Sequence, residues 1–381
     1  MDKKSASGLD ENSLRSALRM VDFVVHSPAR VCLYGDHQDY LGLPVIAATI
    51  NRFLHLSVSK IEAHHIDFQL LDLDASLRIP FDPSNVYETK DSIDFFRAGL
   101  RVAARHGYDV KHGLNVSITS DIPINAGVSS SSALMVGWLY ALTLAFGDGQ
   151  PAPPDLLARM AFEAEVLEHR SPGGQMDQYT IAHGGLVFIE TGSDIRVHSL
   201  PIPKLCMILI ESGINKETLS TIGSVKDNTT KAFDHIRMKH PGFELNLASG
   251  DDLKSVITAT TKELRPFAQA AIRNHLITQK AHEHLRSDQP DQKKLGQLMS
   301  EHHGVLSQSL EVSHPSIDHW MKLGRSNGAF GGKIVGSGHG GCSILLVPDQ
   351  DQKGLCETLV AQGAKAAYPV SIDQACHHTQ I

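Results

Sequence analysis

The run Gly127-Val128-Ser129-Ser130-Ser131-Ser132-Ala133 constrains this chain more than any other stretch. It joins a predicted strand, Gly113 to Ile118, followed by Ser120-Asp121-Ile122-Pro123, to an apolar helix predicted from Ala133 to Leu144. A glycine and four serines at a helix start put unpaired N–H groups and small hydroxyls around one point, and the helix dipole adds partial positive charge there. Such a place binds anions, phosphate foremost. A serine run is also an ordinary helix N-cap, so other segments must decide between the two readings.

At 381 residues the chain exceeds one ordinary core and implies about two domains. The formal charge of −7 argues against a general nucleic-acid or anionic-membrane binder. Cys32, Cys206, Cys342, Cys356 and Cys376 are scattered, odd in number and without a CxxC, and read as thiols of a reducing compartment. Met1 to Arg15 is polar, with no apolar signal core, and no run is long enough to span a bilayer; a cytoplasmic location is the default expectation. Histidine occurs 22 times, yet His64-His65, His282 and His284, His302-His303 and His377-His378 lack a chelating pattern and are expected in structural or surface roles.

Strands are predicted at Phe23 to Val25, Arg30 to Tyr34 (separated by Ser27-Pro28), Val45 to Ile50, His55 to Lys60, Ile66 to Leu73 and Leu77 to Phe81. A helix comes next from Ile93 to His106, and another from Asp155 to about Glu168. Leu186 to Glu190 and Leu205 to Glu211 read as strands. Beyond Gly213 come long polar helices (Ser224 to His240, Leu253 to Leu285, Lys293 to Leu310), then Ile317 to Asn327. Strands at Lys333 to Gly336 and Ser343 to Val347, a helix from Gly354 to Gly363 and a strand from Ala366 to Ser371 complete the chain. No steady βαβ rhythm is present, which favours an α+β fold, with a domain boundary near residue 200. Gly336 to Gly341 satisfies GxGxxG but has strands on both sides, against a dinucleotide site; Gly332-Lys333-Ile334 fails the P-loop pattern.

Three further segments carry chemistry. Arg30 to Tyr40 places Arg30, Asp36, His37 and Asp39 just after a strand, a hydrogen-bonding cluster suited to a polyol or simply a charged turn. Pro172-Gly173-Gly174-Gln175-Met176-Asp177-Gln178 lets the backbone approach a ligand beside Asp177, and Glu165 upstream could hold Mg²⁺ with Ser131. Capping by Asp177 and solvation of Glu165 are the plainer alternatives. The glycine loop Gly336 to Gly341 would let the chain lie against a phosphate, or form a tight turn only.

Together these segments resemble the GHMP small-molecule kinases, and within them the galactokinase-like sugar 1-kinases. Gly35-Asp36-His37-Gln38-Asp39-Tyr40 is similar to the family's Gly-Glu-His-Thr-Asp-Tyr, the serine run to Gly-Leu-Ser-Ser-Ser-Ala, Gly174 to Gln178 to Gly-Ile-Met-Asp-Gln, and Gly336 to Cys342 to Gly-x-Gly-Phe-Gly-Gly-Cys. The matches come in family order over roughly residues 23 to 347. The resemblance implies a two-domain α+β GHMP architecture, an N-terminal domain over 1–200 and a ferredoxin-like α/β sandwich over 201–381, with the active site in the cleft between them. It implies ATP and Mg²⁺ as cofactors, a monosaccharide as acceptor, and a monomer or homodimer that binds neither nucleic acid nor membrane. Asp177 and Arg30 would be catalytic. Asp36, His37, Asp39 and Gly174 would grip the sugar. Gly127, Ser129, Ser130, Ser131, Ser132 and Phe96 would hold ATP, with Phe96 near adenine or else in the helix core. Ser131 and Glu165 would hold the metal, and Gly338 and Gly340 would shape the third loop.

The reaction so implied is in-line transfer of the γ-phosphoryl group to the C1 hydroxyl of a galactose-like sugar. Other sugars, a mevalonate-type alcohol and a non-catalytic sugar and ATP sensor are the alternatives; the segment Gly35 to Tyr40 speaks against mevalonate. The pattern departs from galactokinases at Asp36 (for Glu), at Asn125-Ala126 (for glycines), at Glu168-His169-Arg170 (for Phe-Val-Gly), at His339 (for Phe), and near Thr221 to Lys226, where a Tyr is expected. His169-Arg170 offers charge to an acidic or phosphorylated sugar, or simply closes a helix in solvent.

Overall fold

The computed structural model describes residues 21–80, 94–123, 126–214, 218–250, 257–350 and 352–381. The polar stretch Met1 to Arg15, Phe81, Ile93, Asn125 and the predicted helix start at Leu253 lie outside these residues.

Two sheets form the frame. β1 (Phe23–Tyr34) and β2 (Val45–Ile61) are each one long strand, where the sequence predicted two pieces. The break signalled by Pro28 is a bulge instead. Pro28 pairs with Phe53 and Ala29 with Ile50, so Asn51 and Arg52 are extra residues on β2 and the ladder resumes beyond them. β5 (Gly113–Ser120) pairs with the second half of β2, and β6 (Leu186–Glu190) with the first half. β3 (His65–Leu70) runs parallel to β5 and antiparallel to β4 (Ala75–Pro80), while β7 (Arg196–Leu200) pairs with β6.

The second sheet has the order β11 (Ala366–Val370), β8 (Cys206–Glu211), β10 (Cys342–Val347), β9 (Gly331–Ile334), antiparallel throughout. Its central strands are almost continuous apolar runs, buried on both faces. β12 (His377–Gln380), which no sequence signal announced, returns to the first sheet and pairs with the start of β1.

Helices cover both sheets, and the fold is α+β. α1 (Phe95–Arg105) packs on α2 (Ser130–Phe146), which is apolar on every side and buried along nearly its whole length. α3 (Pro154–Phe162) runs into a π turn at Glu163–Leu167, and α4 (Met176–His183) comes after it. In the second half α5 (Thr218–Lys239) packs on α6 (Arg265–Leu285), and α7 (Gln292–Gln308) on β9; α8 (Pro315–Ser326) and α9 (Gln352–Ala361) complete the layer. No described helix is long and apolar enough to cross a membrane.

Candidate active site

The predicted segments converge. A cleft of about 520 Å³ is walled by Arg30, Asp36, His37 and Asp39, by Ser131 and Ser132 at the start of α2, by Glu165 of the π turn, by Gly174 and Asp177, and by Gly336 and Ser337.

Arg30 and Asp177 form its centre. Arg30 Nε donates to Asp177 Oδ1 at 2.7 Å and Nη2 to Oδ2 at 2.6 Å, a two-point grip that fixes the plane of the carboxylate. Arg30 Nη1 donates to the Gly127 carbonyl at 2.7 Å, so the same guanidinium anchors the serine loop. Arg30 is 5 % exposed, and burial there is tolerable only because these partners are present.

The serine loop divides its labour. Ser129 takes a left-handed conformation (φ +61°) and donates to Asp177 Oδ2. Ser132 Oγ donates to Glu165 Oε1 at 3.0 Å, and Gln178 Nε2 to Glu165 Oε2 at 2.6 Å. The side chains of Ser129 and Ser132, expected at the phosphates, thus hold carboxylates, and their contribution to an anion is the backbone of the first helical turn. Ser131 is exposed on the cleft wall, and Ser130 is half-buried behind it.

The first segment behaves differently from the expectation that all its polar groups face a polyol. Asp36 is 2 % exposed and pairs with Lys333 Nζ at 2.7 Å, while its Oδ1 accepts from the Gly336 amide at 2.9 Å. Burial pushes the Asp36 carboxyl up, but the Lys333 charge, His302 and hydrogen bonds from Lys333 and Cys32 outweigh it and leave the pKa at about 2. His37 Nε2 donates to the Ser337 carbonyl at 3.1 Å, and its Nδ1 shares a hydrogen bond with the Tyr40 hydroxyl at 2.9 Å. Asp36 and His37 therefore clamp the third glycine loop, because groups this buried must satisfy themselves within the protein. Asp39 remains the cleft's own carboxylate. A Cβ on Gly174 would lie 1.8 Å from Asp39 Oδ2, so glycine is required there for the approach. Burial, and then the Asp177 charge, push the Asp39 carboxyl up to about 6.

Other expectations are corrected by packing. Phe96 does not reach the cleft: its ring lies 4.0 Å from that of Phe68 and 6.2 Å from Trp138, in the core. Phe95 faces the cleft instead and stacks on His169. Gly338 and Gly340, expected to shape the third loop, lie outside the cleft lining. Gly338 (φ +97°) lets the loop pass the Val312 carbonyl, which a Cβ would approach to 2.2 Å, and Gly340 passes Ile214. Ile222 lines the cleft in the region where a Tyr was expected.

Lys333, Ser337, Gln178 and Phe95 were missed as site residues. Lys333 carried one signal, a charge opening a predicted strand beside the third glycine loop. Ser337 is 7 % exposed, and its Oγ has no hydrogen-bond partner among the described residues.

Among the described residues no three or more His, Cys, Asp or Glu are grouped around a metal position. A magnesium ion needs less from the protein, since water and phosphate oxygens complete its shell. Glu165 fits that demand. It offers a hard oxygen beside the exposed Ser131 hydroxyl, and burial pushes its carboxyl above the ordinary range despite hydrogen bonds from Gln178 and Ser132. A cation beside it would offset that cost.

With this geometry in place, comparison with known proteins gives the family. Residues 94–185 match the model of the GHMP kinases N terminal domain, residues 281–364 that of the GHMP kinases C terminal, and residues 16–60 the galactokinase galactose-binding signature. The chain belongs to the GHMP kinase family, a family of phosphotransferases. Within it, the chain is galactokinase-like by the signature it carries.

Its relatives span two activities. Mevalonate kinase of Thermococcus sibiricus is 25% identical over 352 residues, covering 91% of this chain and 95% of that one. Galactokinase of Pyrococcus furiosus is 26% identical over 353 residues, covering 90% and 94%. The crystal structure of Lactococcus lactis galactokinase complexed with galactose superposes with a TM-score of 0.83 at 19% identity, over 94% of this chain and 95% of that one, and shows the shared fold.

Proposed function

We propose that this chain is an ATP- and Mg²⁺-dependent sugar kinase that phosphorylates the anomeric (C1) hydroxyl of a galactose-like monosaccharide. The observation that carries this reading is the Arg30–Asp177 pair at the centre of the cleft, flanked by the amides that open α2 and by Asp39 pressed on Gly174. Residues 1–200 and 201–381 serve as the two lobes of this cleft, the second stretch returning β12 to the sheet of the first. The galactose-binding signature over residues 16–60 favours a sugar over a mevalonate-type alcohol.

Each residue then has a task. Asp177 presents about four acceptor sites, of which Arg30 takes one on each oxygen and Ser129 one on Oδ2. The site left on Oδ1 receives the sugar hydroxyl. That oxygen attacks the γ-phosphorus as the bond to the β–γ bridging oxygen breaks, ADP departs, and the hydroxyl proton passes to Asp177. A carboxylate is a weak base toward an alcohol, so the proton moves late, in keeping with a loose transition state. Arg30 keeps the carboxylate oriented and supplies positive charge to the transferring group. The free amides at the start of α2 receive phosphate oxygens. Ser131 and Glu165 would hold Mg²⁺, which when bound neutralises charge on the β- and γ-phosphates. Asp39 and the Gly174 backbone grip the sugar, Asp36 and His37 keep the third glycine loop in place beside it, and a sugar hydroxyl satisfies the buried Ser337 Oγ.

ADP release measured over a panel of monosaccharides, with mevalonate included, tests the proposal. Turnover of one sugar is expected, with a loss of roughly 10²–10⁴-fold in kcat on Asp177→Ala. ³¹P NMR of the product locates the phosphate. Turnover of mevalonate alone overturns the sugar assignment, and sugar-dependent ATP binding without ADP release overturns catalysis.

A further inference from the structure

One side of the cleft carries a cationic lip that phosphoryl transfer to a neutral sugar leaves unused. The π turn leads into Glu168, His169 and Arg170, and the last two line this edge. The first two are tied down. Glu168 Oε2 accepts from Arg101 Nε at 2.9 Å and Nη2 at 2.7 Å, and Oε1 accepts from Arg105 Nη2 at 2.6 Å. His169 Nδ1 donates to the Ala164 carbonyl at 2.9 Å, and its ring stacks on Phe95 with centroids 5.1 Å apart. The backbone closes the turn through Arg170 N–H to Leu167 O at 3.1 Å and Ser171 N–H to Val166 O at 2.9 Å.

Arg170 differs from both neighbours. It holds a left-handed backbone (φ +50°), which side-chain-bearing residues seldom adopt, and it stands where the galactokinase pattern has glycine. It lines the cleft, is exposed, and its side chain makes no hydrogen bond or ion pair with any described residue. The neighbouring carboxylate, Glu168, is occupied by Arg101 and Arg105, and Arg170 has no carboxylate partner among the described residues. Arg170 therefore brings its positive charge to the cleft wall. A planar guanidinium on a braced turn is suited to two-point recognition of a carboxylate or phosphate.

We infer that Arg170 receives an anionic group carried by the acceptor, so that the preferred substrate is a sugar bearing a carboxylate or a phosphate in addition to its reacting hydroxyl. This rests on the kinase reading and narrows it. The anion belongs to the acceptor rather than to the nucleotide because Arg170 leads within four residues into Gly174, which abuts Asp39, whereas the amides of α2 already serve the nucleotide phosphates.

The test measures ADP release at saturating ATP with galactose, galacturonate and galactose 6-phosphate, in the wild type, Arg170→Gly and Arg170→Lys. Glycine suits the left-handed position, so that variant retains the fold. One acidic sugar is expected to exceed galactose at least tenfold in kcat/KM. Arg170→Gly should lower that acidic-to-neutral ratio at least tenfold through the sugar KM, with Lys restoring part of it. Equal or better use of galactose with no change in the ratio overturns the inference and leaves the kinase reading standing. A rise in the KM for ATP instead of sugar assigns Arg170 to the nucleotide and also overturns it. Calorimetric titration of wild type and Arg170→Gly with galacturonate and with galactose 6-phosphate reads the same site without turnover. Binding of neither, or equal binding to both proteins, overturns the inference, whereas Arg170-dependent binding without ADP release leaves it standing and counts against catalysis.

Discussion

Asp39 concentrates the conflict between folding and binding in one carboxylate. It is pressed on Gly174 and pushed up to about 6, first by burial and then by the charge of Asp177. The folded chain binds this proton more tightly than the unfolded chain. The stability linked to Asp39 is therefore fully present below about pH 4 and is lost as pH rises through about 6. Asp39→Asn removes that loss and should stabilise the protein at pH 8 by on the order of 1–3 kcal/mol relative to wild type. The difference should vanish at pH 4, as urea unfolding at the two values would show. The same substitution trades an acceptor for a donor at the sugar and should raise the sugar KM tenfold or more. Wild-type sugar KM should fall as pH rises from 5 to 7, and this limb should be absent in Asp39→Asn. A variant with unaltered sugar KM and unaltered stability would remove Asp39 from the binding site.

Between elements, the π turn at Glu163–Leu167 sets where Glu165 points. Such turns insert one residue into a helix and recur at functional sites. Deleting Ala164 removes the extra residue, closes the bulge into plain α-helix and moves Glu165 back one helical position, away from Ser132 and Gln178. The deletion should preserve helical circular dichroism, weaken Mg²⁺ binding in a calorimetric titration, and cost at least about 100-fold in kcat if Glu165 holds the metal. Unchanged Mg²⁺ affinity would take the metal away from Glu165. The sequence showed this stretch only as one helix from Asp155 to Glu168, because a single widened turn leaves no trace in hydrophobic period. The legible elements obey the same logic. Strands with clear patterns, such as Gly113 to Ile118 and Leu205 to Glu211, appear within two residues of their predicted ends. The glycine and serine loops were legible because close backbone approach excludes most side chains. Lys333 was not, since only the fold reveals that Asp36 lies 2.7 Å from it. Nor could Phe95 be told from Phe96, as neighbours on a helix face directions about 100° apart and only packing chooses between them.

At the scale of the whole molecule, the last described strand is stitched to the first. β12 pairs with β1 over Phe23 to His26, four residues before Arg30 on the same strand. Its four residues are short and polar, which is why no strand was legible there. A histidine cluster seals the junction. His26 Nδ1 shares a hydrogen bond with His55 Nδ1 at 2.8 Å, His26 Nε2 bonds Thr379 Oγ1 at 3.0 Å, and His377 stacks on His26 with centroids 4.9 Å apart. The charged groups facing it are Asp121, the largest influence after burial on His55, and Arg52, which pairs with Asp121 at 3.5 Å. Burial and then the neighbouring histidines lower the His26 pKa below 6.5, and burial lowers that of His55 as well. The unfolded chain then binds more protons as pH drops, so the stability of this junction is present above about pH 6.5 and is lost below it. Removing residues 377–381 should cost roughly 2–4 kcal/mol at pH 7.5, as four ladder positions and their side-chain bonds disappear. His26→Phe should flatten the fall in unfolding free energy between pH 7.5 and 5.5 while keeping β12 in place. Hydrogen exchange at Phe23 to His26 separates the two effects: protection should collapse in the truncated chain at both pH values, and in the wild type only on acidification. Protection that persists in the wild type at pH 5.5 would show that the histidines do not govern the closure of the sheet.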